Sequence, residues 1–154
     1  MKFIADVMLG KLAGYLRMAG YDVVYINDID DNRFMKIARN ENRTALTRDS
    51  LMLARREFKN GTLKFLYIKD DKPINQLRQV GSDLAVTLKP NLTRCLKCNS
   101  LLLKVKKEDV RGKVPQFVYK TSQTFLFCKN CDKYYWRGTH YSKIENIFQR
   151  VKKE

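Results

Sequence analysis

The stretch KFIADVMLGKLAGYLRMAGYDVVYI, residues 2–26, decides the fold. Lys2–Ala5 is a short apolar run closed by Asp6, which reads as a strand. Leu9, Leu12, Ala13 and Leu16 then recur at the three- and four-residue spacing of one helical face as far as Ala19, and Gly20 follows as a helix stop. Val23–Ile26 is a second, β-branched strand. Strand, helix and strand within 25 residues make the repeating unit of a parallel sheet, because only a crossover lets two such strands run the same way.

Working outward, the same alternation continues. Asp30 or Asp31 is placed to cap a helix with Phe34, Ile37 and Ala38 on one face, and Thr44–Leu46 returns as a strand. A third helix is expected from Asp49 or Ser50, carrying Leu51, Leu53, Ala54 and Phe58 to a stop at Asn60-Gly61. Leu63–Ile68 is the next strand, and a fourth helix opens at Pro73, where a missing amide donor costs nothing. The pattern predicts an α/β domain over residues 1–90, with a central, mainly parallel sheet flanked by helices.

At Pro90 the composition shifts. Residues 1–90 hold 16 basic and 11 acidic side chains, whereas 91–154 hold 15 and 5, so two thirds of the net charge of +15 lies in the smaller part. Such a field suits a polyanion, and nucleic acid is the leading partner; a surface tuned for solubility is the plainer reading. The 44% hydrophobic residues exclude a disordered chain. No apolar run reaches the roughly 18 residues of a membrane span, and no signal-like segment opens the sequence, so a cytoplasmic protein without membrane contact is expected.

All four cysteines of the chain fall in this second part, as Cys95-Leu-Lys-Cys98 and Cys128-Lys-Asn-Cys131. Reduced thiols in two C-x-x-C pairs read as a tetrahedral structural zinc site, with redox chemistry the rival reading. The 29 residues between the pairs call for long hairpin strands, which Leu101–Val105, Pro115–Tyr119 and Thr124–Phe127 are expected to supply. A zinc staple compensates for the small core of about 64 residues. After Tyr134, Tyr135 and Trp136, which either stack on bases or pack over the zinc site, Ser142 and Glu145 form a capping box. That box would start a last helix lined by Ile144, Ile147, Phe148 and Val151, with His140 just before it. The second unit is thus a small β-rich zinc ribbon with a C-terminal helix, over 91–154.

Asp6, Asp30, Asp31 and Asp49 each follow a predicted strand or sit in the connection leaving it. In an open parallel sheet those carboxyl ends converge on the edge where ligands bind. Carboxylates gathered there repel, and a magnesium or manganese ion, which prefers oxygen ligands, would relieve that. Helix capping explains any single one of them equally well. Thr47, two residues before Asp49, is placed to orient that carboxylate through its hydroxyl.

The run Phe3-Ile-Ala-Asp6-Val-Met-Leu-Gly-Lys-Leu-Ala-Gly-Tyr-Leu-Arg17, the loop Asn27-Asp-Ile-Asp-Asp31, the motif Leu46-Thr-Arg-Asp49 and the closing Tyr135-Trp-Arg-Gly-Thr-His-Tyr141 together resemble the Mut-seven C-terminal RNase family. The resemblance spans nearly the whole chain. It implies a PIN-like nuclease domain with an appended zinc ribbon, acting as a divalent-metal-dependent ribonuclease. Asp6, Asp31 with Asp30 beside it, and Asp49 fall on the family's acids. Lys11 and Arg17 are then expected to meet phosphate, and Thr47, Arg48, Tyr135, Trp136 and Arg137 to contact substrate. Asn32 and Ser50 depart from the family, the first removing a possible metal ligand. The expected substrate is single-stranded or structured RNA; a non-catalytic RNA- or ribosome-binding protein is the alternative.

Overall fold

The computed structural model describes residues 1–153. Four strands, β1 (Lys2–Ala5), β2 (Asp22–Tyr25), β3 (Thr44–Thr47) and β4 (Phe65–Tyr67), form one sheet in the order β2-β1-β3-β4 with every pair parallel. Side chains alternate across it as the pleat requires. Phe3, Ala5, Val23 and Leu46 enter one core, packed under α1 (Gly10–Met18) and α4 (Pro73–Asp83). Ile4 and Ala45 enter the other, under α2 (Asp31–Asn40) with Phe34, Met35 and Ala38. The α/β architecture expected from the sequence is present.

The helix stop at Gly20 has the predicted cause: its φ of +87° is a left-handed conformation. A Cβ there would also lie 2.9 Å from Asn91 Nδ2 and 3.0 Å from Thr93 Oγ1, so the same glycine admits the second half of the chain. Asp30 is the residue that caps α2, accepting from Arg33 N at 2.9 Å, and Pro73 opens α4 in its first turn.

The third helix is not the one expected. Asp49 caps a 3-10 turn, Ser50–Ala54, the backbone extends at Arg55, and only a short α3 (Arg56–Lys59) follows. Tighter winding turns a different face inward. Met52 and Phe58 are buried, while Leu51, expected on the apolar face, is 82% exposed.

Between the cysteine pairs the chain again departs from expectation. It forms β5 (Leu103–Val105), α5 (Lys107–Val110), α6 (Gln116–Thr121) and β6 (Phe125–Cys128), and then β7 (Lys133–Trp136) completes an antiparallel sheet ordered β5-β6-β7. Pro115 caps α6, and the extra length is absorbed by these two short helices rather than by the longer strands expected. α7 (Thr139–Lys152) starts behind Gly138 without any side-chain cap, so Ser142 and Glu145 lie inside the helix and make no capping box. His140 is within this helix too.

Phe148 and Val151 of α7 are buried in the same core as Phe3 and Leu77, and Ile144 and Ile147 pack against it. The last helix therefore returns from the ribbon to cover the parallel sheet's α1/α4 face. No helix among the described residues is long and apolar enough to cross a membrane.

Candidate active site and metal centre

In the order β2-β1-β3-β4 the crossovers leave β1 in opposite directions, so the crevice for a ligand opens between the carboxyl ends of β1 and β3. Asp6 and Asp49 flank that point. The backbone closes it: Asp6 N donates to Leu46 O at 3.0 Å. A cleft of about 250 Å³ lies there, lined by Asp6, Asp31, Asp49, Arg48, Met8 and Phe34 among others. Three of the four expected acids thus share one cleft. Asp30 does not line it and serves as the α2 cap; Asp28, Asp70 and Asp71 do not line it either.

The three carboxylates are held differently. Asp6 is buried, and its Oδ2 accepts from Thr47 Oγ1 at 2.7 Å and from Arg48 N at 2.6 Å, while its Oδ1 accepts from Met8 N at 2.9 Å. Of roughly four lone-pair positions on a carboxylate, three are filled, so this group is fixed. Asp49 accepts from Leu51 N at 2.9 Å through Oδ1. Asp31 is exposed and faces Arg55 at 3.5 Å. Arg55 also donates to Asn32 Oδ1 at 3.2 Å, so one guanidinium bridges Asp31 and Asn32 in the first turn of α2.

Thr47 is fully buried and orients Asp6, not Asp49; the amide of Asp49 donates to the threonine oxygen at 3.0 Å. The hydroxyl that was expected to meet substrate takes part in this internal bridge from Asp49 to Asp6. Arg48 lines the cleft and donates to the carbonyl of Asp70. Lys11 is exposed on the first turn of α1, outside the cleft lining.

Arg17 was expected at a phosphate and lies elsewhere. It is 6% exposed, with Nε and Nη2 donating to Val23 O at 3.1 and 2.9 Å and Nη1 donating to Leu96 O and Lys97 O at 2.9 and 3.1 Å. Burial pushes its pKa down, opposed by the nearby Cys95, Cys98 and Asp22. The guanidinium is a clamp between β2 and the first cysteine pair, in place of the phosphate contact that the family resemblance implied.

The four cysteines are unpaired by disulfides, and their sulfurs all lie within 4.8 Å of one another. Cys98 and Cys128 stand 3.5 Å apart and Cys95 and Cys131 3.8 Å. Tetrahedral bonds of about 2.3 Å to a zinc ion would space sulfurs by roughly 3.8 Å, so the set fits that metal. Burial resists ionisation of Cys98, yet hydrogen bonds from the Ser100 hydroxyl and amide hold its pKa down at about 6. Backbone amides of Lys97 and Cys98 face the Cys95 sulfur in the same way. Among the described residues, no group of three or more acids, histidines or cysteines other than these four comes together so closely.

Tyr135, expected to contact substrate, is 8% exposed, its hydroxyl 3.2 Å from Cys95 Sγ and accepting from Leu96 N at 3.3 Å. It belongs to the four-cysteine cluster. Trp136 is half-buried, and Arg137 is exposed with its guanidinium 5.0 Å from the Tyr141 ring centroid.

A residue set that sequence reading missed joins the two halves at the amino edge of the parallel sheet. Asp22, the first residue of β2, accepts from Arg43 Nη1 at 2.6 Å and from Asn99 Nδ2 at 2.8 Å, with Arg94 3.7 Å away. Burial works against its charge, but the bonds from Arg43 and Asn99 outweigh it and hold the carboxyl below the usual range. Asn99 Oδ1 meanwhile accepts from Val23 N at 3.0 Å. Asn99, just past Cys98, carries a φ of 71°, a left-handed conformation that asparagine adopts more readily than most residues.

A parallel α/β domain with an acidic cleft at its switch point, joined to a four-cysteine centre on a small antiparallel sheet, describes the class of molecule. The Mut7-C RNAse domain model matches residues 1–148, and the chain belongs to that family. Membership marks it as nuclease-like. No curated protein and no solved structure matches the chain.

Proposed function

We propose that the chain is a divalent-metal-dependent ribonuclease of PIN-like type, cutting RNA phosphodiester bonds in the cleft between β1 and β3. The observation that carries this is the convergence of Asp6, Asp31 and Asp49, from three separate connections, on one cleft beside Arg48. Magnesium keeps several waters and needs only one or two carboxylates directly, which suits a fixed Asp6 with one open position and the less constrained Asp49 and Asp31. When bound, the ion would activate water and stabilise charge on the phosphorus oxygens. Thr47 and the Arg48 amide keep Asp6 in one orientation. Arg48 adds positive charge at the place where the phosphodiester would sit.

Zinc at the four cysteines is structural, since four thiolates close its coordination shell. Residues 1–90 supply the cutting domain and 91–154 the docking ribbon with its C-terminal helix, which packs back on the first core, in a cytoplasmic protein. The rest of the ribbon's basic side chains recruit RNA, single-stranded or structured. The looseness of the acid set, compared with the cysteines, favours one other reading: a non-catalytic protein that binds RNA or the ribosome.

One experiment separates them. Labelled RNA and the matched DNA strand are incubated with the zinc-loaded protein and added magnesium or manganese, beside an Asp6→Asn variant. Cleavage that requires the metal and falls on the order of 10²–10³-fold in the variant supports the enzyme. Binding by both proteins with no cutting of any strand leaves the binding protein, and equal cutting of DNA removes the restriction to RNA.

A further inference from the structure

The acidic cleft stands at the carboxyl edge of the parallel sheet, and the ribbon docks at the opposite, amino edge through Arg17, Asp22 and Asn99. Where the ribbon, the end of α1 and the start of α7 meet, a groove of about 460 Å³ opens. Its floor is apolar, from Met18, Leu96 and Ile144. Tyr134, Trp136 and Tyr141 form aromatic walls, and Lys133, His140 and Lys143 stand exposed on the rim. No acidic residue lines it. Gly138 leaves room for the indole, because a Cβ there would lie 2.9 Å from Trp136 Nε1.

We infer that this groove takes an unpaired nucleobase of an RNA strand, with the flanking phosphates on Lys133 and Lys143. The inference rests on the reading of RNA as substrate and adds a second contact far from the cut. The volume is within the roughly 300–1,000 Å³ typical of small-ligand pockets. Aromatic faces interleaved with cations are what binds single strands without sequence preference, each stacked base contributing about 1–3 kcal/mol. An apolar peptide would fill the floor equally well, but it would leave a rim of cations without counter-charge. RNA answers both features at once.

The placement sets a minimum length. α1 runs nine residues from near the cleft to Met18 at the groove, about 13 Å at 1.5 Å per residue. At the ~3.4 Å spacing of stacked nucleotides, a strand touching both sites has at least about four nucleotides between them. RNAs too short to span that distance lose the groove contact, and their KM rises while kcat holds.

Trp136 is the chain's only tryptophan, so its emission reports on the groove directly. The zinc-loaded full-length protein is titrated with an unstructured RNA of about a dozen nucleotides, without added magnesium or manganese. Trp136 fluorescence and the anisotropy of the labelled RNA are followed together. The expected result is saturable quenching that tracks anisotropy. In the Lys133→Ala, Lys143→Ala double variant, whose sites are exposed and tolerate truncation, Kd rises on the order of tenfold and the salt slope becomes shallower by about two. Anisotropy that rises while tryptophan emission stays constant overturns the groove and leaves RNA docking elsewhere. Silence in both signals overturns the groove and RNA docking together. Quenching by an uncharged amphipathic peptide but not by RNA makes the groove a protein-docking site. Metal-dependent cleavage, assayed separately, stands or falls on Asp6 and not on this titration.

Discussion

The two edges of the parallel sheet hold acids in opposite ways. At the carboxyl edge, Asp31 is exposed and Asp49 offers a cap with one oxygen, and only Asp6 is locked. At the amino edge, Asp22 is ringed by Arg43, Asn99 and Arg94, and its charge is spent on holding the ribbon. The contrast teaches that a carboxylate's role here follows from whether cations and amides close around it. A carboxylate that keeps an open position, as Asp6 does beside the freer Asp31 and Asp49, can take a substrate or metal, whereas Asp22, tied to Arg43, Asn99 and Arg94, is structure. The four cysteines belong with the closed kind, since their mutual spacing already suits one ion.

The largest expected effect comes from opening the closed edge at its four-cysteine cluster. Structural zinc contributes roughly 10–16 kcal/mol in small domains, so Cys98→Ser should cost the β5-β6-β7 sheet its order. Hydrogen exchange is expected to show fast amides over 92–136, while β1 and β3 and the docked α7 stay protected, because Phe148 and Val151 sit in the other core. Equal loss at both edges would dissolve the contrast. Next in size, Arg17→Met leaves the Leu96, Lys97 and Val23 carbonyls without their donor, and a loss of about 3 kcal/mol is expected in urea unfolding. A value near zero would make the clamp ornamental.

Thr47→Val tests the open edge. Without the hydroxyl, Asp6 loses one of its orienting bonds, and cleavage is expected to fall about tenfold to a hundredfold while the ribbon remains intact. Gly20→Ala should cost about 1–2 kcal/mol, from the left-handed backbone together with the crowding by Asn91 and Thr93. The smallest effect concerns pH. Asp22 has a depressed pKa in the folded chain, so its contribution is present above the unfolded value of about 3.9 and is lost as pH falls through the lower folded value. In Asp22→Asn, stability measured from about pH 4 down to 2 should fall less steeply than in the parent; an identical slope would deny the carboxylate its role at this edge.

Much of the fold was legible because its signals are local. The β1 to β2 segment carries its periods within 25 residues, Gly20 and Pro73 act where their own backbones allow, and the cysteine pairs state their chemistry by spacing. Leu51 misled, because a 3-10 turn and an α-helix share apolar residues but rotate them differently. Ser142 and Glu145 had the right spacing for a cap, yet the helix begins at Thr139 behind Gly138 and buries Tyr141 in its first turn, so both residues fall inside it.

Sequence alone determined the α/β class and the cysteine set, and it named four acids, Asp6, Asp30, Asp31 and Asp49, of which three line the cleft, since each follows from residue type and short-range spacing. Only the tertiary structure decided which acids remain open, that Arg17 and Tyr135 face inward to the cysteine centre, and that the ribbon docks at the edge opposite the cleft. Those outcomes depend on contacts between residues about 80 positions apart, such as Arg17 with Lys97. No local preference encodes such a contact: it forms only when buried donors and carbonyls must find each other away from water.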